Sequence, residues 1–104
     1  MQIVDAGHFA PAADGTADYA QHLTVPTLSV GTYSIPAGAV DDQVPHAEDE
    51  VYVVMSGRGS VTAGGRTVQV GPGAALFVPA REDHRFHDVT EDLAVLVFVA
   101  PAYS

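Results

Sequence analysis

The sequence predicts an all-β fold, a small sandwich or barrel built from short strands. Two observations support this prediction. The chain holds 10 glycines and 7 prolines in 104 residues, a high density of chain-reversal positions. Between them lie short runs that alternate apolar and polar residues or are continuously apolar, as strands do. No segment has a convincing 3.6-residue period. Many short strands separated by closely spaced turns are typical of β-sandwiches and β-barrels.

Length, charge and composition restrict the class of protein. A chain of 104 residues with 47% hydrophobic residues suits one domain. Cysteine is absent, which excludes disulfides, thiolate metal ligands and cysteine nucleophiles. A net charge of −9 with four basic residues disfavours nucleic acid and anionic membranes as partners. No apolar run approaches a membrane span, and the N-terminus lacks the features of a secretion signal, so we expect a cytoplasmic protein.

The individual strands are predicted from alternation and from the turn residues that flank them. Gly64-Gly65 between two β-type runs is a strong hairpin signal, because primed turns need positive φ. Turns are also predicted at Ser56–Gly59 and Thr90–Asp92. Leu93–Val99 is continuously apolar, so we expect both of its faces to be buried. The predicted strands are Gln2–Asp5, the segment between Pro26 and Pro36, Glu50–Ser56, Ser60–Ala63, Arg66–Val70, Ala74–Val78, His84–Val89 and Leu93–Val99.

A first segment, Gly38–Gly57, carries an acidic run with candidate site residues. Glu50 opens a strand on which Tyr52 shares its face. A carboxylate facing an apolar interior is costly unless it is hydrogen-bonded or binds a cation. His46 precedes Glu50 by four residues, and a bent strand entry would let the two side chains converge. Imidazole and carboxylate together suit Zn, Fe, Mn, Ni or Co.

A second segment, Gly73–Asp88, contributes His84 at the start of a strand. His87 lies three residues further on, so alternation places the two imidazoles on opposite faces of that strand. Arg81 and Arg85 flank His84. Either arginine could steer an anionic substrate, or both could simply balance the neighbouring carboxylates.

Each candidate also has a plain structural interpretation. His46 and Glu50 could belong to a solvated acidic surface, and His84 could be an ordinary strand histidine. Tyr52 could supply a phenol to a cavity, which makes it a weak catalytic candidate, or it could pack in the core with its hydroxyl at the mouth. Three phenylalanines are predicted to be core residues: Phe77, Phe86 and Phe98.

Together the two segments resemble the two motifs of the cupin superfamily. The first motif contains a glycine, His-x-His, a glutamate and a second glycine; the matching residues are Gly38, His46, Glu50 and Gly57. The second motif contains a glycine, Pro-x-Gly, a histidine and an asparagine; the matching residues are Gly73, Pro79 and His84. Arg81 stands at the inner glycine and Asp88 at the asparagine. The resemblance covers about Leu28–Pro101 and is closest to small single-domain bacterial cupins.

The resemblance implies an all-β, small cupin-type jelly-roll β-barrel in a single domain. Residues 1–22 would form an N-terminal extension or edge strand, and residues 23–101 would form the barrel. Cupins often pair, so the resemblance also implies a homodimer.

The same resemblance implies a divalent transition metal (Fe, Mn, Ni, Co or Zn). The family's ligand set carries over to His46, Glu50 and His84. Val44 occupies the position of the first family histidine and cannot bind a metal. Gln43 stands beside it and is either a further ligand or a surface amide.

Two functions follow as hypotheses. The first is a metal-dependent cupin enzyme that acts on a small organic molecule by dioxygenase, isomerase or cyclase-like chemistry. The second is a metal-free cupin that binds or senses a small ligand, which the loss of the first histidine favours. A structural dimerisation module without a ligand is a third hypothesis, and the retained histidines and glutamate argue against it.

Overall fold

The computed structural model describes residues 1–7, 9–41 and 45–102, and its regular structure consists of six β-strands. All strand pairs are antiparallel. The strand order is β1-β2-β6-β3-β4, and β5 also pairs with β3. The all-β prediction is confirmed, and none of the described residues forms a helix that could cross a bilayer. The strands are β1 (Asp18–Val25), β2 (Leu28–Ile35), β3 (Asp49–Ala63), β4 (Arg66–Val70), β5 (Ala75–Val78) and β6 (His84–Ala100).

The two longest strands, β3 and β6, form the centre of the fold. They pair antiparallel from Asp49 opposite Ala100 to Ala63 opposite His84. The first part of β3 also pairs with β5, and its last part pairs with β4 through the predicted Gly64-Gly65 hairpin. The sheet therefore places the start of β3 and the start of β6 at fixed positions, and these are the places that hold Glu50 and His84.

Two predicted turns are wrong. Ser56–Gly59 lies inside β3, and Thr90–Asp92 lies inside β6. The pairing between the two strands shifts register between Val54 and Ser60. Irregular residues in a bulged strand bend it sharply without ending it, which is why turn-forming residues occur there. Gly57, at the bulge, has a φ of 90°.

The N-terminal third also departs from prediction. No strand forms at Gln2–Asp5, where the backbone is irregular. Instead, β1 pairs along β2, and a turn at Pro26 separates them. The strand predicted between Pro26 and Pro36 is confirmed as β2. The sequence signal for β1 is weak because this edge strand pairs on one side only and half of its residues are exposed.

The core lies between the inward faces of the strands. Glu50, Tyr52 and Val54 share the buried face of β3, as alternation predicts. Phe86 is confirmed as a core residue, whereas Phe98 is half-buried. Phe77 is not in the core: it is 64% exposed, because it lies opposite Val51 on the outward face. The buried hydrophobic residues are Tyr33, Ile35, Tyr52, Val54, Val61, Val70, Val78, Phe86, Val89, Leu93, Ala94, Val95, Val97 and Val99.

The bulge at Gly57 generates a first prediction. A Cβ at this position would clash with the backbone carbonyl oxygen of Asp92, so Gly57→Ala adds a clash to the cost of positive φ. We expect it to lower the free energy of unfolding by at least about 2 kcal/mol. Gly65→Ala is the control, because Gly65 has a φ of 75° and open space around its Cβ position. It should cost only about 1 kcal/mol. Urea denaturation measures both, and equal losses would contradict the clash.

Candidate metal centre

Three of the predicted ligands converge inside the barrel. His46 Nε2 lies 3.5 Å from Glu50 Oε1, and His84 Nε2 lies 3.9 Å from Glu50 Oε2. One ligand atom from each residue can be chosen so that all lie within 4.8 Å of one another. Glu50 is 3% exposed and His84 is 6% exposed, while His46 is half-buried. The cluster is assembled from the loop before β3, the start of β3 and the start of β6.

Tyr52 belongs to this cluster. It is 1% exposed, and its hydroxyl donates a hydrogen bond to Glu50 Oε2 and lies 2.8 Å from His84 Nε2. Burial raises the pKa of Tyr52, and its contact with the Glu50 carboxylate raises it further. The phenol is therefore held in its neutral form. The interpretation of Tyr52 as a core residue is correct for its ring, which packs edge-on against Phe86, but its hydroxyl sits among the candidate ligands.

The imidazole of His84 is oriented by the backbone. Its Nδ1 lies 3.0 Å from the carbonyl oxygen of Glu82, so Nδ1–H donates to that oxygen. This contact turns Nε2 toward Glu50 and Tyr52. Metal-binding histidines usually have such a partner on the nitrogen that does not bind the metal. Two imidazoles and a carboxylate are a donor set that suits a first-row transition metal, so these residues fit the implied ion.

Tyr52 links the other two buried groups of the cluster. Its hydroxyl donates its single proton to the Glu50 carboxylate, and His84 Nε2 lies 2.8 Å from the same phenol oxygen. A cation bound between Glu50 and His84 would contact both groups directly.

The turn that follows β5 holds the His46 segment in place. The backbone N–H of Arg81 donates to the carbonyl oxygen of His46 at 2.7 Å. The N–H of Ala80 donates to Asp49 Oδ1 at 2.8 Å. Arg81 has a φ of 67°, the left-handed conformation that favours glycine, at the place where the family motif has its inner glycine. The backbone shape of the motif is thus retained although the glycine is not.

Asp41 is a buried carboxylate that the sequence analysis did not single out. It is 4% exposed, accepts a hydrogen bond from the Tyr33 hydroxyl at 2.7 Å, and accepts another from the backbone N–H of Phe86 at 2.7 Å. It thereby ties the loop after β2 to β6, close behind His84. Asp41 belongs to an acidic run whose composition also fits a solvent-exposed loop. No local sequence pattern distinguishes a buried carboxylate from its exposed neighbours.

The remaining candidates fall outside the cluster. His87 points away from His84, as predicted, and hydrogen-bonds Thr62 and Asp88 at 2.7 Å each. Arg85 lines a cavity of about 610 Å³ that reaches His84 and Asp41, a volume that suits a small organic molecule. Arg81 is exposed. Gln43, the further ligand candidate, and Val44, at the vacant histidine position, lie outside the described residues.

Comparison with known proteins assigns the family. A family model described as a cupin domain matches residues 31–100. The chain belongs to the cupin family. An uncharacterized protein of Streptomyces coelicolor is 48% identical over 93 residues, which cover 89% of this chain and 87% of that relative. The all-β cupin fold and the resemblance inferred from the two motifs are both confirmed.

Solved structures share the architecture at low sequence identity. An RmlC-like cupin from Shewanella frigidimarina has a TM-score of 0.78 and 19% identity, over 93% of each chain. The DMSP lyase DddQ from Ruegeria pomeroyi has a TM-score of 0.76 and 18% identity, over 92% of this cupin and 53% of the lyase. At these identities the similarity establishes the fold.

Asp41 generates a second prediction. Asp41→Asn removes the negative charge that strengthens both hydrogen bonds, and its N–H₂ would have to face either the Phe86 N–H or the Tyr33 hydroxyl, which must then accept instead of donating. We expect the free energy of unfolding to fall by about 1–3 kcal/mol. Asp18→Asn, at an exposed position of β1, is the matched control and should change it by less than about 0.5 kcal/mol. Equal effects of the two substitutions in chemical denaturation would show that the buried contacts of Asp41 contribute nothing.

Proposed function

We propose that this cupin holds one divalent transition metal inside its barrel and acts on a small organic molecule there. His46, Glu50 and His84 would supply the protein ligands. The observation that carries the proposal is the convergence of three ligand atoms within 4.8 Å at a largely buried position. A three-ligand site leaves coordination positions for a substrate or for water, which is the usual arrangement in catalytic rather than structural sites.

Each residue of the site has a role in this proposal. When bound, the ion would act as a Lewis acid or bind O₂, which suits dioxygenase, isomerase or cyclase-like chemistry. The Glu82 carbonyl keeps His84 in the tautomer that leaves Nε2 available. Asp49 holds the turn after β5, whose Arg81 N–H donates to the carbonyl oxygen of His46. Tyr52 places a neutral phenol beside the ligands, and its hydrogen bond to Glu50 holds that carboxylate in position. The cavity lined by His84 would give a substrate room beside the site, and Arg85 at its wall favours a negative charge.

A metal-free cupin that binds or senses a small ligand is the second candidate. The hydrogen bonds of Tyr52 favour it, because they link Glu50 and His84 without an ion. Among the described residues, no buried side-chain nitrogen or oxygen lacks a hydrogen-bond partner. In that case the cavity would be a binding site, and Tyr52 would link Glu50 and His84 by hydrogen bonds alone.

The wider setting of the protein is also a proposal. We infer a single cupin domain over residues 1–104 that works in the cytoplasm as a homodimer and takes a small molecule, with no nucleic acid or membrane as partner. The net charge of −9 supports the absence of polyanionic partners. The solved structures that share this fold include an enzyme, the DMSP lyase, which is compatible with catalysis in general but indicates no particular substrate for this chain.

Metal content tests the first candidate. Protein purified without a histidine tag should carry close to one equivalent of a transition metal by elemental analysis, and His84→Ala should lose most of it. His87→Ala is the matched control, because His87 lies on the same strand but points to the opposite face. It should retain the metal. If wild type and His84→Ala carry equally little metal and neither is stabilised by added Fe, Mn, Ni, Co or Zn, the second candidate holds instead.

Tyr52→Phe separates the two candidates further. Without the phenol, Glu50 and His84 lose a shared partner, so the metal-free protein should be destabilised by about 1–3 kcal/mol. A bound metal would replace that partner, so saturating metal should raise the melting temperature of Tyr52→Phe by more than it raises that of the wild type. A smaller rise in the variant would show that Tyr52 assists metal binding and does not compete with it.

A further inference from the structure

The outward face of β6 changes from polar to apolar along the strand. In the second half of β6, Leu96 and Phe98 point outward and are half-buried, so the expectation that both faces of Leu93–Val99 are buried is met on one side only. In the first half, the outward residues are Arg85 and His87, which alternate with buried residues. This polar half of the face lies on the far side of the strand from the candidate metal centre.

Four polar side chains at this end of the sheet form a continuous chain of hydrogen bonds. His87 Nδ1 lies 2.7 Å from Asp88 Oδ2, and His87 Nε2 lies 2.7 Å from Thr62 Oγ1. Thr62 Oγ1 in turn lies 2.7 Å from Thr67 Oγ1. These residues come from β6, β3 and β4, and we call them the outer polar cluster. Three paired strands therefore hold one imidazole between a carboxylate and a hydroxyl.

The hydrogen bonds of the outer polar cluster have one direction when the imidazole is neutral. An ionised carboxylate only accepts, so His87 Nδ1–H donates to Asp88. His87 Nε2 is then an acceptor, and the Thr62 hydroxyl donates its proton to it. Because that hydroxyl has a single proton, the Thr67 hydroxyl donates to Thr62 Oγ1. Thr62 thus faces a base that is oriented by a carboxylate, which is the arrangement that activates a hydroxyl as a nucleophile.

Thr62 also borders the cavity of about 610 Å³. Arg85 lines the same cavity and lies directly opposite Thr62 in the sheet, so their Cβ atoms are about 5 Å apart on one face. A guanidinium in this place can stabilise negative charge that develops on a substrate bound to the hydroxyl. Asp41 and Asp83 line the cavity as well, which disfavours a strongly anionic substrate. A small neutral ester fits these surroundings best.

We propose that Thr62 is the nucleophile of an acyl-transfer site that hydrolyses small esters, with His87 as its general base. Asp88 is a positioning residue, because it touches only the imidazole. Its side chain is 81% exposed, whereas that of His87 is 23% exposed, so the carboxylate orients the ring less firmly than a buried one would. The proposal does not depend on a metal, since His87 points away from His84.

The reaction proceeds in two steps that balance. In the first, Thr62 Oγ1 attacks the carbonyl carbon of the ester while its proton passes to His87 Nε2, and the negative carbonyl oxygen faces Arg85. The bond to the alcohol then breaks, His87 returns the proton to the leaving oxygen, and the acyl group stays on Thr62. In the second step, water attacks the acyl carbon and gives its proton to His87, which passes it to Thr62 as the acid leaves.

Two small reagents test the proposal on the purified protein. Release of nitrophenolate from p-nitrophenyl acetate reports the rate of acyl transfer. Diisopropyl fluorophosphate leaves a stable phosphate ester on the nucleophile, which peptide mass spectrometry locates. The chain has no lysine and no cysteine, so few other nucleophiles compete for either reagent. We expect the wild type to carry the label on Thr62. Thr62→Val should carry no label and release nitrophenolate at least about 10-fold more slowly, the remainder being background from the histidines.

Three further variants assign the roles. Thr62→Ser keeps the hydroxyl and should keep both the label and the rate. His87→Gln removes the base and should slow nitrophenolate release at least about 10-fold. Asp88→Asn keeps a residue that tolerates the φ of 48° but offers N–H₂ to His87 Nδ1, which favours the wrong tautomer. It should slow release by about 3- to 10-fold with an unchanged melting temperature, which a merely structural role of Asp88 does not predict.

Thr90→Val is the matched control, because Thr90 also lies on β6 but its hydroxyl donates to the backbone carbonyl of Arg58 instead of a histidine. This variant should keep the label on Thr62 and the rate of the wild type. Equal rates in the wild type and Thr62→Val overturn the proposal, as does a wild type that is unlabelled or labelled at another residue. If Thr62→Val does not fold, His87→Gln and Thr62→Ser decide, and equal rates in these two variants overturn the proposal.

Discussion

The antiparallel pairing of β3 with β6 is the constraint on which the rest of the structure depends. It joins the two longest strands from Asp49 opposite Ala100 to Ala63 opposite His84. Every other strand pairs with one of these two or, in the case of β1, with β2. Because Glu50 lies at the start of β3 and His84 at the start of β6, the same ladder that builds the barrel also sets the positions of two candidate ligands.

Buried carboxylates determine how the loops around the site are held. Asp41 and Glu50 are 4% and 3% exposed, and such groups are stable only with hydrogen-bond donors around them. Asp41 obtains donors from Tyr33 and from the backbone of Phe86, and Glu50 obtains one from Tyr52. These bonds tie the loop after β2 to the barrel. Asp41 therefore holds the loop after β2 in place, and Glu50 is one of the candidate metal ligands.

The two faces of β3 have different surroundings in this cupin. Its inward residues include Glu50 and Tyr52 at the proposed metal centre, and its outward residues Val51, Val53 and Met55 are partly or largely exposed. The period of two in a strand separates the two faces residue by residue, so a change to Val53 and a change to Tyr52 act on different faces of the same backbone.

The sequence by itself determined the fold and three of the candidate site residues. Turn density, alternation and the spacing of His46, Glu50 and His84 are local patterns, and two glycine-bounded motifs are enough to align them with cupins. The tertiary structure alone decided the roles of Asp41, Tyr52 and Phe77. In sequence, Asp41 resembles an exposed loop residue and Phe77 resembles a core residue. In the folded chain Asp41 is buried and Phe77 is exposed, because burial depends on which parts of the chain pack against each residue. Gly57 and Asp88 have positive φ and lie inside β3 and β6, where the pairing of the two strands is irregular. Sequence alone indicates a turn at such residues, and only the partner strand shows that they belong to a bulge.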